Sequence, residues 1–540
     1  MRISLVFAAA WSLVTLGGCI LIYHSDDYDG AGGAAGGGAD GSGAAGAGAT
    51  TMAGPGGSGG SGGTGGGGCG VDSVERCDMP CMSSACLTPQ WAKRFGNAED
   101  DQGARAVAVA DDGTIAVVGS YKKSGFLFGM HSLTGFASGQ EGFIGLLDAE
   151  GNSTWVDNVS DKVNSNSPRE AHGIAISASS IFVAGYVLPN AAMDLDAVVM
   201  RYDRAGLGND TIIAHMFGGA GDDDAVAVST DGQNAYVLGK MTAPGAKPPI
   251  DCSGNPTTPA DGMFVMKLNG FGGCEWVRIY PGMAVRPAAI SARKASTQGV
   301  WFTGGFKGNL GLGGPSLVTG AEDEAMFLIQ VNETGELGQS FKFAGMKNGA
   351  RVEAQAVEVS DDGTVYVAGG LVGQTDIASM SAPKSAAFVA AFPGASNLEP
   401  EWSVVFPGGD NAVEGARATG VVIADTHLFV SGVFGGSILY PQGKAGGMVI
   451  EESGMGAPFL ARVDRNDPHG VISFDHFPGG GESFFTANIA MAKHPQGGVV
   501  LAGAWRKTLD FSTPTQPLKL DELPNTTNGD VIVAKLLPSP

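Results

Sequence analysis

"VSDDGTVYVAGG", residues 359–370, reads as a tight turn that feeds a strand ending at a glycine. The Asp-Asp-Gly supplies the positive φ of a short hairpin, and the Val-Tyr-Val run that follows has strong β-propensity. Blurred copies lie along the chain: "VADDGTIAVVGS" at 109, "ISASSIFVAGY" at 176, "VSTDGQNAYVLGK" at 228, "QGVWFTGG" at 298, "VIADTHLFVSGV" at 422 and "GGVVLAGA" at 497. The strand-ending glycines are Gly119, Gly185, Gly239, Gly304, Gly369, Gly432 and Gly503, spaced by 66, 54, 65, 65, 63 and 71 residues. A period of this kind indicates a solenoid, a propeller or an array.

Each period holds further strands. After the glycine come "FIGLLD" at 143, "VVMRYD" at 198, "MFVMKL" at 263, "MFLIQV" at 326, "AFVAAF" at 387, "PFLARVD" at 458 and "VIVAKL" at 531. A polar, often Gly-containing turn follows, as in "DAEGN" at 148. Then an aromatic strand begins: "WVDNV" at 155, "WVRIY" at 276, "FKFAG" at 341, "WSVVF" at 402 and "FDHFP" at 474. The third copy offers "IIAHMFGG" at 212, without a leading aromatic. A further strand precedes the opening turn, as in "EAQAVEVSDDG" at 353. No helical 3.6-residue pattern separates the strands. Four short antiparallel strands repeated seven times predict an all-β, seven-bladed β-propeller. A β-helix is disfavoured, because its coils are shorter and its strands pair in parallel.

The ends of the chain set how the ring closes. "WAKRF" at 91–95 precedes any complete blade, and "VIVAKLLPSP" at 531–540 has no aromatic strand after it. Each leaves backbone groups that the other can satisfy, so 91–95 is expected to pair beside 531–536 in the last blade.

These units resemble the bacterial seven-bladed β-propeller repeat family, whose unit reads as Ala-Val-Ala-Val, an Asp-Gly turn, Val-Tyr-Val-Ala-Gly, Phe-Val-Ala-Lys-Leu, a Gly turn and a Trp strand. The resemblance covers Trp91 to Leu536. It implies architecture and no single activity.

The N-terminal part has a different composition. Of 88 glycines in 540 residues, 22 lie between Gly30 and Gly70. Residues 1–18 carry Arg2, an apolar run and small residues, the order of an export signal. Leu16-Gly17-Gly18-Cys19 resembles the lipobox of bacterial lipoproteins, which implies cleavage before Cys19 and acylation of its thiol. Ile20 in place of Asp implies an outer-membrane lipoprotein, periplasmic or surface-facing. The competing reading is an uncleaved anchor, since Ile3 to Ile22 is an apolar run just long enough to span. Residues 19–68 are expected to be flexible coil, with a root-mean-square span of about 35 Å over forty residues. The "GGSGG" at 56–60 belongs to this linker and lacks the strand and helix of a nucleophile elbow.

Residues 69–90 form a small cysteine-rich segment with Cys69, Cys77, Cys81 and Cys86. The spacing lacks zinc knuckles, and an exported chain favours disulfides, with three pairings open. Excluding Cys19, six cysteines remain, so Cys252 and Cys274 are expected partners. The propeller is assigned to 91–540.

A net charge of −22, with 54 acidic against 32 basic residues, argues against nucleic acid and against electrostatic docking to an anionic membrane. No P-loop or dinucleotide fingerprint occurs. The connections from aromatic strand to next blade are acidic: "GNAEDDQG" at 96, "GGAGDDDA" at 218, "GGDNAVEG" at 408. Asp222, Asp223 and Asp224 are the best candidates for holding a cofactor, a calcium ion, although no D-x-D-x-D-G loop with a downstream Glu is present. The Asp-Gly turns are structural. The eight histidines (His24, His131, His172, His215, His427, His469, His476, His494) form no H-E-x-x-H; His469 and His476 flank one hairpin. Recurrent Trp and Phe are expected to pack between blades, while Trp301 and Trp505, beside repeat glycines, are the candidates for a binding face.

The expected function is a monomeric, non-catalytic, lipid-anchored envelope module that binds a protein or glycan. The alternatives are a carbohydrate-active lyase or hydrolase with its site at the channel, or a purely structural envelope protein.

Overall fold

The computed structural model describes residues 75–76 and 87–538, apart from loop segments, of which the longest are 160–168, 243–251, 253–260, 478–488 and 521–528. The signal, the tether and Cys19, Cys69, Cys77, Cys81 and Cys86 lie outside the described residues.

Residues 359–370 lie in the first hairpin of blade 5. Ser360 N–H donates to Thr364 O, Gly363 N–H to Ser360 O, and Thr364 N–H to the Asp362 carboxylate. Gly363 has φ +92°, where a Cβ would be strained. Strand Arg351–Val359 pairs with Val365–Gln374, which pairs with Ser381–Phe392, which pairs with Trp402–Pro407, all antiparallel. The same four-strand order recurs seven times.

The repeat glycine does not end its strand, contrary to the sequence reading. Ile115–Lys122 runs past Gly119 and Val365–Gln374 runs past Gly369. In blades 1 to 6 the register shifts opposite the glycine, where the first strand carries a β-bulge. The bulge brings a carbonyl down on the glycine. A Cβ at Gly119 would lie 1.9 Å from Gly103 O, at Gly185 2.0 Å from Glu170 O, and at Gly369 2.0 Å from Glu353 O. Close backbone approach is what selects glycine at this repeat position.

The seven first strands are Gln102–Val109, Arg169–Ile176, Asp224–Thr230, Ala284–Ala292, Arg351–Val359, Arg417–Ala424 and Ala490–Lys493. Each packs against the next, and the seventh packs against the first. This is a closed seven-bladed propeller with these strands innermost. Closure comes from Leu87–Phe95, the outer strand of blade 7. It pairs antiparallel with Asp530–Pro538, with Trp91 opposite Lys535 and Phe95 opposite Val531. The closing strand starts at Leu87, so four residues assigned to the cysteine-rich segment belong to the propeller.

The core lies between blades. Seven apolar clusters fill the seven inter-blade interfaces; that between blades 5 and 6, for example, gathers Phe406, Phe459 and Phe474. Neighbouring blades splay outward, and the gaps are plugged by the connection from second to third strand. Phe126 and Phe128 plug the gap before blade 1, Leu310 and Leu312 that before blade 4, and Ile438 and Ile450 that before blade 6. The recurrent tryptophans staple the rim. Trp91, Trp276 and Trp402 donate their indole N–H to Ala149 O, Glu333 O and Arg465 O of the next blade, at 3.0, 2.7 and 3.1 Å. The turn glycines Gly151 and Gly335 lie under the Trp91 and Trp276 rings, where a Cβ would come within 2.9 Å.

Candidate functional site

The residue just before the bulge in the first strand is charged in five successive blades: Glu170, Asp224, Arg286, Glu353 and Arg417. Each occupies the same register, opposite the residue that follows the repeat glycine. The antiparallel order sets this position at the end of the molecule where the first strands begin. There, Glu170 and Asp224 meet at His172, and Arg286 meets Glu324 and Glu353.

The densest cluster spans blades 1 to 3. Arg105 lies 3.2 Å from Glu170, and His172 lies 3.0 Å from Glu170 through Nε2 and 2.9 Å from Asp224 through Nδ1. Gln140 donates to Glu170 and to Ser120. The Tyr186 ring meets the His172 ring edge-on at 5.2 Å. Burial works against the Glu170 charge, but Arg105 and His172 outweigh it and hold the carboxyl at about 2. Burial likewise opposes the imidazolium, yet Asp224 and Glu170 push His172 up to about 10. Burial raises the Tyr186 hydroxyl as well, and the Glu170 and Asp224 charges add to it. The chemical result is an ordered Arg⁺–Glu⁻–His⁺–Asp⁻ chain across three blades. With both ring nitrogens donating to carboxylates, His172 has no lone pair to act as a base at neutral pH.

Across the ring, Arg286 pairs with Glu324 of its own blade and lies 3.7 Å from Glu353 of the next. At the opposite ends of the first strands, hydroxyls stitch blades together. Ser229 accepts from Ala292 N–H, and Ser291 accepts from Val359 N–H. Glu358 lies there too; burial lifts its carboxyl to about 7 against the pull of Lys493 and Ser291.

The three aspartates proposed for calcium diverge. Asp222 accepts from Leu195 N–H, Asp223 accepts from Gly219 and Thr242 N–H, and Asp224 faces His172. Asp223 is fully buried, which pushes it to about 7 despite those donors, with Asp196 and Asp194 adding to the rise. Among the described residues no group of three His, Cys, Asp or Glu side chains converges as metal ligands.

Trp301 and Trp505 are each 5% exposed and present no binding face. Trp301 stacks with Phe341, and Trp505 donates to Thr508 O within the apolar cluster between blades 6 and 7. Adjacency to the repeat glycine confers no exposure, because the second strand of each of these blades is covered by its neighbours on both faces. Cys252 and Cys274 form a disulfide that ties the second-to-third-strand connection of blade 3 to its outer strand. His469 lies outside the described residues, so its meeting with His476 does not enter the site.

No family model matches this chain, and no curated protein matches it. Solved structures resemble it in fold. A protein of unknown function from Dyadobacter fermentans has 10% identity and a TM-score of 0.39, covering 84% of this chain and 99% of the other. A chain of the mitotic checkpoint complex has 8% identity and a TM-score of 0.36, covering 85% and 95%. Acylaminoacyl peptidase from Pyrococcus horikoshii has 8% identity and a TM-score of 0.34, covering 75% and 58%.

The charged register was not legible in the repeat: Glu170, Asp224, Arg286, Glu353 and Arg417 lie 15, 15, 18, 16 and 15 residues before their repeat glycines, and only the strand pairing brings them to one level. The Asp run at 222–224 stands out in the sequence, yet its members share a sequence address and no common direction.

Proposed function

We propose that this chain is a non-catalytic binding module of the cell envelope, held by a lipid on Cys19 and presenting a rigid propeller to a protein or glycan. The observation that supports it most is the mutual neutralisation of the chemistry-bearing groups. Arg105, Glu170, His172 and Asp224 occupy one another, so the cluster that most resembles a catalytic centre serves to lock three blades together. A stiff scaffold suits binding, because little conformational entropy is lost at the contact.

The test uses the full chain with isolated cell envelopes, alongside Cys19→Ser, which removes the acyl anchor. Cys19→Ser is expected to co-sediment still, and to lose that association when the envelopes are pretreated with protease or with glycosidases. Appearance of new reducing or unsaturated sugar ends would shift the reading to a carbohydrate-active enzyme. Loss of co-sedimentation in Cys19→Ser without pretreatment would leave only the structural role. Mass spectrometry of the mature N-terminus checks the anchor itself: a diacylated Cys19 is expected, and an intact Met1 would refute it.

A further inference from the structure

The innermost strands carry a second set of repeated positions beside the charged row, the extra residue of each bulge. In blades 1 to 6 these are Arg105, His172, Val226, Ala288, Gln355 and Thr419. In blades 2 and 3 the row residue meets the bulge residue of the blade before it. Glu170 lies 3.2 Å from Arg105, and Asp224 lies 2.9 Å from His172. Opposite charges face each other in both cases. Arg286 finds its carboxylates elsewhere, in Glu324 and Glu353.

Blade 6 breaks the pattern. Arg417 leans on blade 5: a Cβ at Gly370 would lie 3.4 Å from Arg417 Cβ, so the arginine stem packs over the bare face of that glycine. The bulge residue of blade 5 is Gln355, which is uncharged. Among the described residues Arg417 makes no ion pair and no side-chain hydrogen bond. Its Nε is buried without an acceptor, while its two terminal nitrogens reach solvent. Buried donors are nearly always matched, so an orphan of this kind calls for a missing partner. Thr419, two residues on in the same strand, donates through Oγ1 to Ile489 O at 3.0 Å and keeps its lone pairs as acceptors. Leu87 and Pro538, where the chain enters and leaves the ring, lie together at the opposite end of the molecule.

We propose that Arg417 anchors a ligand at this mouth of the channel, and that the ligand is a sugar bearing a carboxylate, a uronic acid. The inference rests on the binding-module reading and names the ligand class for it. A guanidinium fork is matched bidentately by a planar carboxylate. Gln355 and Thr419, on the same inner strands, supply the uncharged donors and acceptors that suit hydroxyls. Glu353 stands at the level of Arg417 on the neighbouring blade, and the chain carries a net charge of −22. Both disfavour a phosphate dianion or an acidic protein surface, whereas a single carboxylate on an otherwise uncharged sugar meets the least repulsion.

Saturation-transfer NMR titrations of the full chain in detergent test this, with sodium glucuronate, glucose and the blocked peptide acetyl-Gly-Glu-Gly-amide as separate probes. Glucuronate is expected to bind, and glucose to bind about tenfold more weakly or worse, because it lacks the charge-assisted bonds. Arg417→Gln should weaken glucuronate by about the same factor while keeping the melting temperature of the parent, since the side chain has no protein partner to lose. Arg417→Lys, which keeps the charge without the fork, should fall between the two. Glucuronate affinity unchanged in both folded variants overturns the proposal. A parent that binds no glucuronate overturns it as well, and continued co-sedimentation of Cys19→Ser with envelopes would then leave the binding-module reading standing without this site. A peptide affinity equal to or above that of glucuronate overturns the sugar and assigns the fork to an acidic peptide.

Discussion

At the scale of single residues, two kinds of position carry the sharpest expectations. The first is the repeat glycine. Gly369→Ala drives a Cβ into Glu353 O, and both partners are backbone, so neither can swing away. A loss of about 3 kcal/mol is expected, at the upper end of overpacking costs. Gly314, with nothing within 4 Å of its Cβ position, is the control, and Gly314→Ala should leave the denaturation midpoint unchanged. The second is the His172 clamp. A His held up at about 10 adds stability fully present below its ordinary 6.5 and lost as pH rises through 10. Glu170, held at about 2, adds stability present above 4.5 and lost as pH falls through 2. Glu358 and Asp223, raised to about 7, favour the fold while protonated and cost stability as pH climbs through 7. The His172, Glu358 and Asp223 contributions decline as pH rises, whereas that of Glu170 declines only in acid. The melting temperature should therefore fall between about pH 6 and about pH 10, and His172→Gln should lower it and flatten that decline. A steeper alkaline decline in the variant would contradict the clamp.

At the scale of elements, the blade is a poor unit by itself. Its two faces are apolar, and each is covered only by the neighbouring blade. The connections that plug the outer gaps therefore act as part of the core, although in sequence they resemble loops. The disulfide tests this. Cys252 is buried between blades 2 and 3, and its partner Cys274 begins the outer strand, with a sequence separation of 22. Cross-linking a loop of that size stabilises by about 3 kcal/mol through the unfolded chain. Cys252→Ala with Cys274→Ala should lower the unfolding free energy by about that amount in denaturant titrations. A change near zero would show that the insert is held by packing alone.

At the scale of the whole molecule, the ring is a closed chain of nearest-neighbour contacts sealed at one seam. The seam pairs Leu87–Phe95 with Asp530–Pro538 and is fastened by Arg94 to Asp530 at 3.1 Å, both nearly buried. Deleting residues 530–540 removes the third strand of blade 7 and orphans its fourth. A large drop in melting temperature and loss of cooperative unfolding are expected by calorimetry, because the first and seventh blades then lose their shared interface. An unchanged transition would mean that the ring does not depend on its seam.

The sequence by itself determined the blade count, the four-strand order, the seam and the Cys252–Cys274 pair. These follow from local signals: alternation within strands, Asp-Gly turns, and a period that returns seven times. The tertiary structure alone decided why glycine recurs, since a bulge on one strand pressing a carbonyl onto another is invisible to either strand's pattern. It alone brought Glu170 and His172 together with Asp224, more than fifty residues further on. It also separated Asp222, Asp223 and Asp224, neighbours in the chain whose side chains point to different partners. Local hydrogen bonding and periodicity are written along the chain, whereas the meeting of charges from different blades depends on how a closed ring sets first strands side by side.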